Sequence, residues 1–120
     1  SVAADLLRQL LYMPSATVLV ALDGRNVDGV AVLSLRPSIA ARGLVGTIDL
    51  LAIEPGHEPD GAIEVLLKEI IRSARNKGCV VLDASVPSEP AVLAALEHRG
   101  FTEETGRLSL SLAGVTVGAR

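Results

Sequence analysis

The chain has 120 residues, 49% apolar and 2% aromatic, with a net charge of −3 and one cysteine. That length suits a single domain. The mild acidity and near-absence of aromatics argue against a nucleic-acid partner, the lone Cys79 excludes an internal disulfide or a zinc set, and no apolar run is long enough to span a membrane.

In chain order, Leu6, Leu7, Leu10 and Leu11 share one helical face until Pro14 stops the pattern. Residues 1–13 lack the basic n-region and cleavage site of a secretory leader, so a cytoplasmic location is expected. The start at Ser1 fits a processed product or a piece of a longer chain. Thr17–Leu22 (TVLVAL) and Val30–Leu35 (VAVLSL) read as strands, joined through the turn-forming DGRNVDG into an antiparallel hairpin. Arg36–Gly43 reads as a loop punctuated by Pro37 and Gly43. Leu44–Ile53 (LVGTIDLLAI) is the longest strand candidate and fits a central position. Strict alternation places Thr47, Asp49 and Leu51 on one face and Ile48, Leu50 and Ala52 on the other.

Glu54–Gly61 (EPGHEPDG) reads as a loop. A clear amphipathic helix follows, with Ile63, Leu66, Leu67, Ile70 and Ala74 on its apolar face, Asp60 as N-cap and Gly78 just past its end. Cys79–Ala84 is a strand. Ser88 is placed to cap a further helix that ends at Gly100, and Arg107–Leu112 alternates as a half-buried strand. The tail, residues 113–120, is small and Gly-rich and is expected to fray. The strand–helix–strand unit from Leu44 to Ala84 predicts a right-handed parallel crossover. The fold class is therefore α/β (α+β): a mixed, mostly antiparallel sheet with a central parallel unit and helices on its faces. A Rossmann or flavodoxin-like sheet is disfavoured, because the early hairpin has no helical crossover and no G-x-G-x-x-G follows a strand.

Three runs carry a resemblance. LLAIEPGHEPDGAIEVLLKEII (residues 50–71) resembles the central strand–loop–helix motif of the GNAT acyl-CoA N-acyltransferases. SEPAVLAALEHRGF (residues 88–101) resembles that family's late helix ending in Gly-Phe, and the hairpin containing ALDGRNVDGVAVL is similar to its second and third strands. The resemblance spans residues 5–112 and rests on the order and spacing of the motifs together. It implies one GNAT-like domain over residues 1–120, lacking the family's usual first strand and helix. An edge left open in that way would be covered by a second copy, by a further segment or by a tandem domain.

The resemblance also implies acetyl-CoA as co-substrate and a small-molecule or peptide amine as acceptor. Backbone groups of Leu51, Ala52 and Ile53 would hold the pantetheine arm. The loop and helix start, Glu58, Asp60, Gly61, Ala62 and Ile63, would hold the diphosphate. A helix N-terminus offers free N–H groups to such an anion. The chain departs from the family's loop pattern at Glu58, Pro59 and Ile63, and only Gly61 matches. Pro59 has no N–H to donate. A carboxylate ~6 Å from a phosphate charge at an effective dielectric of about 20 costs on the order of 3 kcal/mol. Asp60 in the first turn equally stabilises a helix that binds nothing.

The family's tyrosine acid falls at Leu96, which has no proton to give. Tyr12, the one tyrosine, lies on the first helix. Asp49, a carboxylate among apolar neighbours on the central strand, is the candidate general base. Its bland alternative is a paired, structural acid. His57 reads as a solvated loop residue, His98 as a helix-end cation and Cys79 as a small buried hydrophobe. Asp83 ends a strand where ligands bind in open sheets, or caps the following turn. Arg72 and Arg75 read as solvated. A catalytically silent domain with a structural, dimerising or ligand-sensing role is the competing function.

Overall fold

The computed structural model describes residues 16–23, 26–54 and 59–112. Its order is β1 (Ala16–Asp23), β2 (Asn26–Ser38), β3 (Gly43–Ile53), α1 (Pro59–Asn76), β4 (Cys79–Ser85), α2 (Pro90–His98), β5 (Thr102–Glu104) and β6 (Arg107–Ser111). One six-stranded sheet runs β1-β2-β3-β4-β6-β5. Only β3 and β4 pair in parallel, bridged by α1, and every other described pairing is antiparallel. That is the mixed sheet with a central parallel crossover which the residue pattern predicts.

The apolar stripe of α1 forms the core. Ile63, Leu66, Leu67, Ile70 and Ala74 are each at most 2% exposed and pack on Ala31, Leu33, Leu82 and Leu108 of the sheet. Burying a Leu or Ile fully stabilises by roughly 1.5–3 kcal/mol relative to exposure, so this stripe is what fixes the helix against the sheet. Val92, Leu96 and Phe101 join the same cluster, so α2 lies beside α1. Glu64 of α1 ties the pair: it accepts from Arg99 Nε at 2.8 Å and sits 3.9 Å from His98 Nδ1. The helix expected over Leu6–Leu11, Tyr12 and the tail 113–120 lie outside the described residues.

Close approach demands glycine at two places in the sheet. A Cβ on Gly29 would sit 2.9 Å from Leu66 Cδ1 and 3.1 Å from the Ala52 carbonyl; one on Gly46 would sit 3.0 Å from Leu33 Cδ1. Gly29 thus lies where α1 presses on β2 and β3, and Gly46 where side chains of β2 and β4 close over β3. The Gly78 expectation also holds: at φ +85 it turns the chain out of α1, donating its N–H to the Arg75 carbonyl at 3.0 Å.

Several local expectations change. α1 begins at Pro59, so Asp60 lies inside the first turn and is not the N-cap. Proline suits that first position because an N–H there has no helical partner. The cap of α2 is Glu89, not Ser88; its carbonyl accepts from Leu93 N–H at 3.1 Å and no side chain caps the helix. β2 runs on to Ser38 through the segment read as a loop. Its pairing with β1 ends at Ala16↔Ser34, and among the described residues Pro37 pairs only with Leu44 of β3, so the missing N–H costs no described ladder bond. Thr102–Glu104 forms a strand that alternation did not reveal. It pairs with β6 through a two-residue turn in which Thr105 and Gly106 both have positive φ (51 and 79).

Candidate functional site

The largest correction lies in β3. Val32 pairs with Leu50 and Leu33 with Ile48, so Asp49 is an extra, bulged residue opposite β2. A bulge reverses the alternation beyond it. Ile48 belongs to the core on the α1 side, and so do Leu51 and Ile53, which pack against the same cluster. Thr47 and Leu51 therefore do not share a face, contrary to the sequence reading. The side chain of Asp49 remains exposed and accepts a hydrogen bond from the Ser34 hydroxyl of β2.

The same bulge opens the sheet. The last parallel pair of β3 and β4 is Ile48↔Ala84, yet β3 continues to Ile53 while β4 stops at Ser85. Beyond Ile48 the two strands part. The Glu54 N–H donates to the Asp28 carbonyl at 2.7 Å, and the pairs Val30↔Ala52 and Val32↔Leu50 follow at every second residue. Antiparallel geometry sends those residues' backbone groups toward β2. The N–H and C=O of Leu51 and Ile53 consequently point the other way, into the gap that β4 has left. Ala52, named with them from the sequence, turns its backbone groups to β2. The gap is a cleft of about 160 Å³ lined by Asp49, Leu51, Ala84, Ser85, Val92 and Leu96, among others. Leu96 is 2% exposed and forms part of its apolar wall.

At the N-terminus of α1, Gly61 and Ala62 line a second depression of about 450 Å³, together with Val20, Leu22, Asp28 and Val65. In a helix starting at Pro59, the amides without an intrahelical acceptor are those of Asp60 and Gly61; Pro59 has none, and Ala62 and Ile63 fall within the helical ladder. The Ile63 side chain is 1% exposed and belongs to the core, so it offers nothing to a ligand. Glu58 and His57 lie outside the described residues.

Asp83 neither ends β4 nor caps a turn. It sits within the strand on the face opposite α1, where Thr47 Oγ1–H donates to it at 2.6 Å and Arg107 Nη2–H at 3.1 Å. Arg36 Nη2 lies 3.8 Å from its other oxygen. Sequence reading missed this arrangement because its members come from four strands; the signal was polar residues at alternate positions of otherwise apolar runs. Cys79 is buried, and desolvation holds its thiol above the usual pKa, only partly offset by Lys77. It is therefore protonated and inert at neutral pH. Arg72 is exposed and pairs with Glu69 at 3.3 Å. Among the described residues no group of three His, Cys, Asp or Glu is gathered to hold a metal, and no helix is long and apolar enough to cross a membrane.

Comparison with known proteins agrees with this architecture. A family model described as the acetyltransferase (GNAT) family matches residues 2–101. Among solved structures, a probable acetyltransferase aligns with a TM-score of 0.75 at 18% identity, covering 87% of this chain and 71% of that one. A transcriptional regulator from Bacillus halodurans C-125 aligns with a TM-score of 0.77 at 19% identity, covering 87% and 71%. A chain of the NatC complex bound to Gag peptide and CoA aligns with a TM-score of 0.74 at 21% identity, covering 92% and 78%. A search of the curated proteins by sequence gave no match.

Proposed function

Because the chain belongs to the GNAT family of acetyltransferases, we propose that it transfers an acetyl group from acetyl-CoA to an amine, with Asp49 accepting the amine's proton. The observation that carries this reading is the opening between β3 and β4. There, Leu51 lines an apolar-walled cleft, and the backbone groups of Leu51 and Ile53 face away from β2 with no strand partner among the described residues. Such a cleft suits a pantetheine arm, whose amides need backbone partners and whose methylenes need apolar walls. The diphosphate end fits less fully, with two free amides at the start of α1, Asp60 and Gly61.

Acetyl-CoA supplies the activated acyl carbon and, as acyl donor, a good leaving thiol. The protein's part is positioning and proton traffic. Asp49 lines the cleft and accepts from the Ser34 hydroxyl; there it would take the proton that the amine sheds as its nitrogen bonds to the acyl carbon. Leu96 lines the cleft where a tyrosine acid would stand and keeps it dry without giving a proton. The thiol's proton must therefore come from the amine or from solvent.

One observation favours a second reading, a domain that keeps the fold without the chemistry. Pro59 and Leu96 together remove an amide from the anion site and the acid from the cleft. A melting measurement separates the two. A ligand at a hundred times its dissociation constant stabilises by about 2.7 kcal/mol, so an acetyltransferase should melt several degrees higher in millimolar acetyl-CoA. An unchanged melting temperature would favour the silent domain.

A further inference from the structure

The face of the sheet opposite α1 carries charge that acyl transfer at Asp49 does not use. Asp83, its side chain 15% exposed, is met by two guanidiniums: Arg107 at 3.1 Å and Arg36 at 3.8 Å. One carboxylate against two cations leaves a surplus positive charge at this end, which Asp49 balances from the other side of the same depression. The side chains of Arg36 and Arg107 are 58% and 44% exposed, so donors of both forks remain open to a ligand. Both line a depression of about 380 Å³ that also takes in Ser34, Thr47 and Asp49. That volume is of the order taken by small-molecule sites. The depression, which Leu35 also lines, carries opposite charges at its two ends. Asp49, held by Ser34, supplies the negative end, and Arg36, two residues along β2 from Ser34 and so roughly 7 Å away, supplies the positive end.

We propose that this depression is the acceptor subsite and that it selects an amine carrying a carboxylate, an amino acid, over amines that carry positive charge alone. The proposal rests on the acyl-transfer reading of Asp49. A purely cationic amine is drawn to Asp49 but repelled by the surplus charge of the arginines. A zwitterion satisfies both ends, its carboxylate accepting from a guanidinium fork whose geometry matches it. Arg107 alone has a structural explanation, since its bonds to Asp83 and, at 3.4 Å, to Ser85 tie β6 to β4. Arg36 has no such explanation: it is more than half exposed and lies beyond hydrogen-bond reach of Asp83.

Calorimetric titration with free amino acids, their carboxamides and a polyamine tests this on the purified chain. Arg36, being exposed, can be replaced without unfolding the protein. The preferred amino acid should bind at least tenfold more tightly than its carboxamide. Arg36→Gln should remove that preference, Arg36→Glu should reverse it and Arg36→Lys should restore part of it. Carboxamides or polyamine binding as well as amino acids would overturn the proposal, as would a preference that survives Arg36→Glu or the failure of every amino acid to bind. The acetyl-CoA melting shift, read on the same samples, reports on the acyl-transfer reading separately. A shift without amino-acid preference overturns the selectivity alone, and a preference without a shift overturns the acceptor role.

Discussion

Replacing Asp49 by Asn should lower turnover by on the order of 10²–10⁴, the usual contribution of a positioned general base, while leaving the acetyl-CoA melting shift as it is in the parent. Two features make the substitution clean. The Asp49 side chain is exposed, so losing its charge disturbs no core packing. An Asn carbonyl can still accept from the Ser34 hydroxyl, so the bulge keeps its tie to β2. What disappears is the capacity to take a proton from the attacking amine. Steady-state kinetics should show the loss in kcat. Unchanged turnover would remove Asp49 from the mechanism and assign the proton to solvent.

Leu67→Ala should destabilise the fold by about 2–5 kcal/mol, the range for a buried Leu truncated in a packed core. Leu67 is fully buried at the middle of the α1 stripe, among Leu66, Ile70 and the sheet residues Leu33 and Leu82 of the same cluster. Small domains hold only about 5–15 kcal/mol in all, so a substantial share of the total is at stake. At roughly 4 °C per kcal/mol for a chain of this size, a melting temperature about 8–20 °C below the parent is expected. A drop of only a degree or two would mean that α1 is not clamped to the sheet as the burial indicates.

The parallel unit was legible because its signals are local and redundant. β3 and β4 are largely apolar runs, and α1 shows an unbroken stripe from Ile63 to Ala74 closed by Gly78. The bulge was not legible. Whether Asp49 counts as one position in the alternation or as an extra residue depends on how β2 pairs with β3, and that register is set between strands far apart in sequence. The same non-locality hid the cluster around Asp83, whose partners Arg36, Thr47 and Arg107 each look like an ordinary exposed polar residue on its own strand. β5 gave no signal because all three of its residues are exposed, so no apolar alternation marks it; Gly106, beside Thr105, was its one clue. Pro37 misled in the other direction, since a proline argues against a strand unless the neighbouring strand has already ended there.

Of the site residues named from the sequence, Leu51 and Asp49 line the cleft, and the backbone groups of Leu51 and Ile53 face away from β2. Gly61 and Ala62 line the depression at the start of α1. Ile63 was placed there by motif position, but its position in the apolar stripe puts it in the core. Its bulk, unusual at a position where the family pattern has a small residue, is explained by packing under the helix and not by a ligand.

Amide chemical shifts of the labelled protein, followed as CoA is titrated in, test the central claim most directly. If the gap between β3 and β4 receives the pantetheine arm, the largest changes should fall on Leu51 and Ile53, with Asp60 and Gly61 following and Leu50 and Ala52, bonded to β2, moving less. Saturable binding that leaves Leu51 and Ile53 unmoved, or no binding at millimolar CoA, would contradict it.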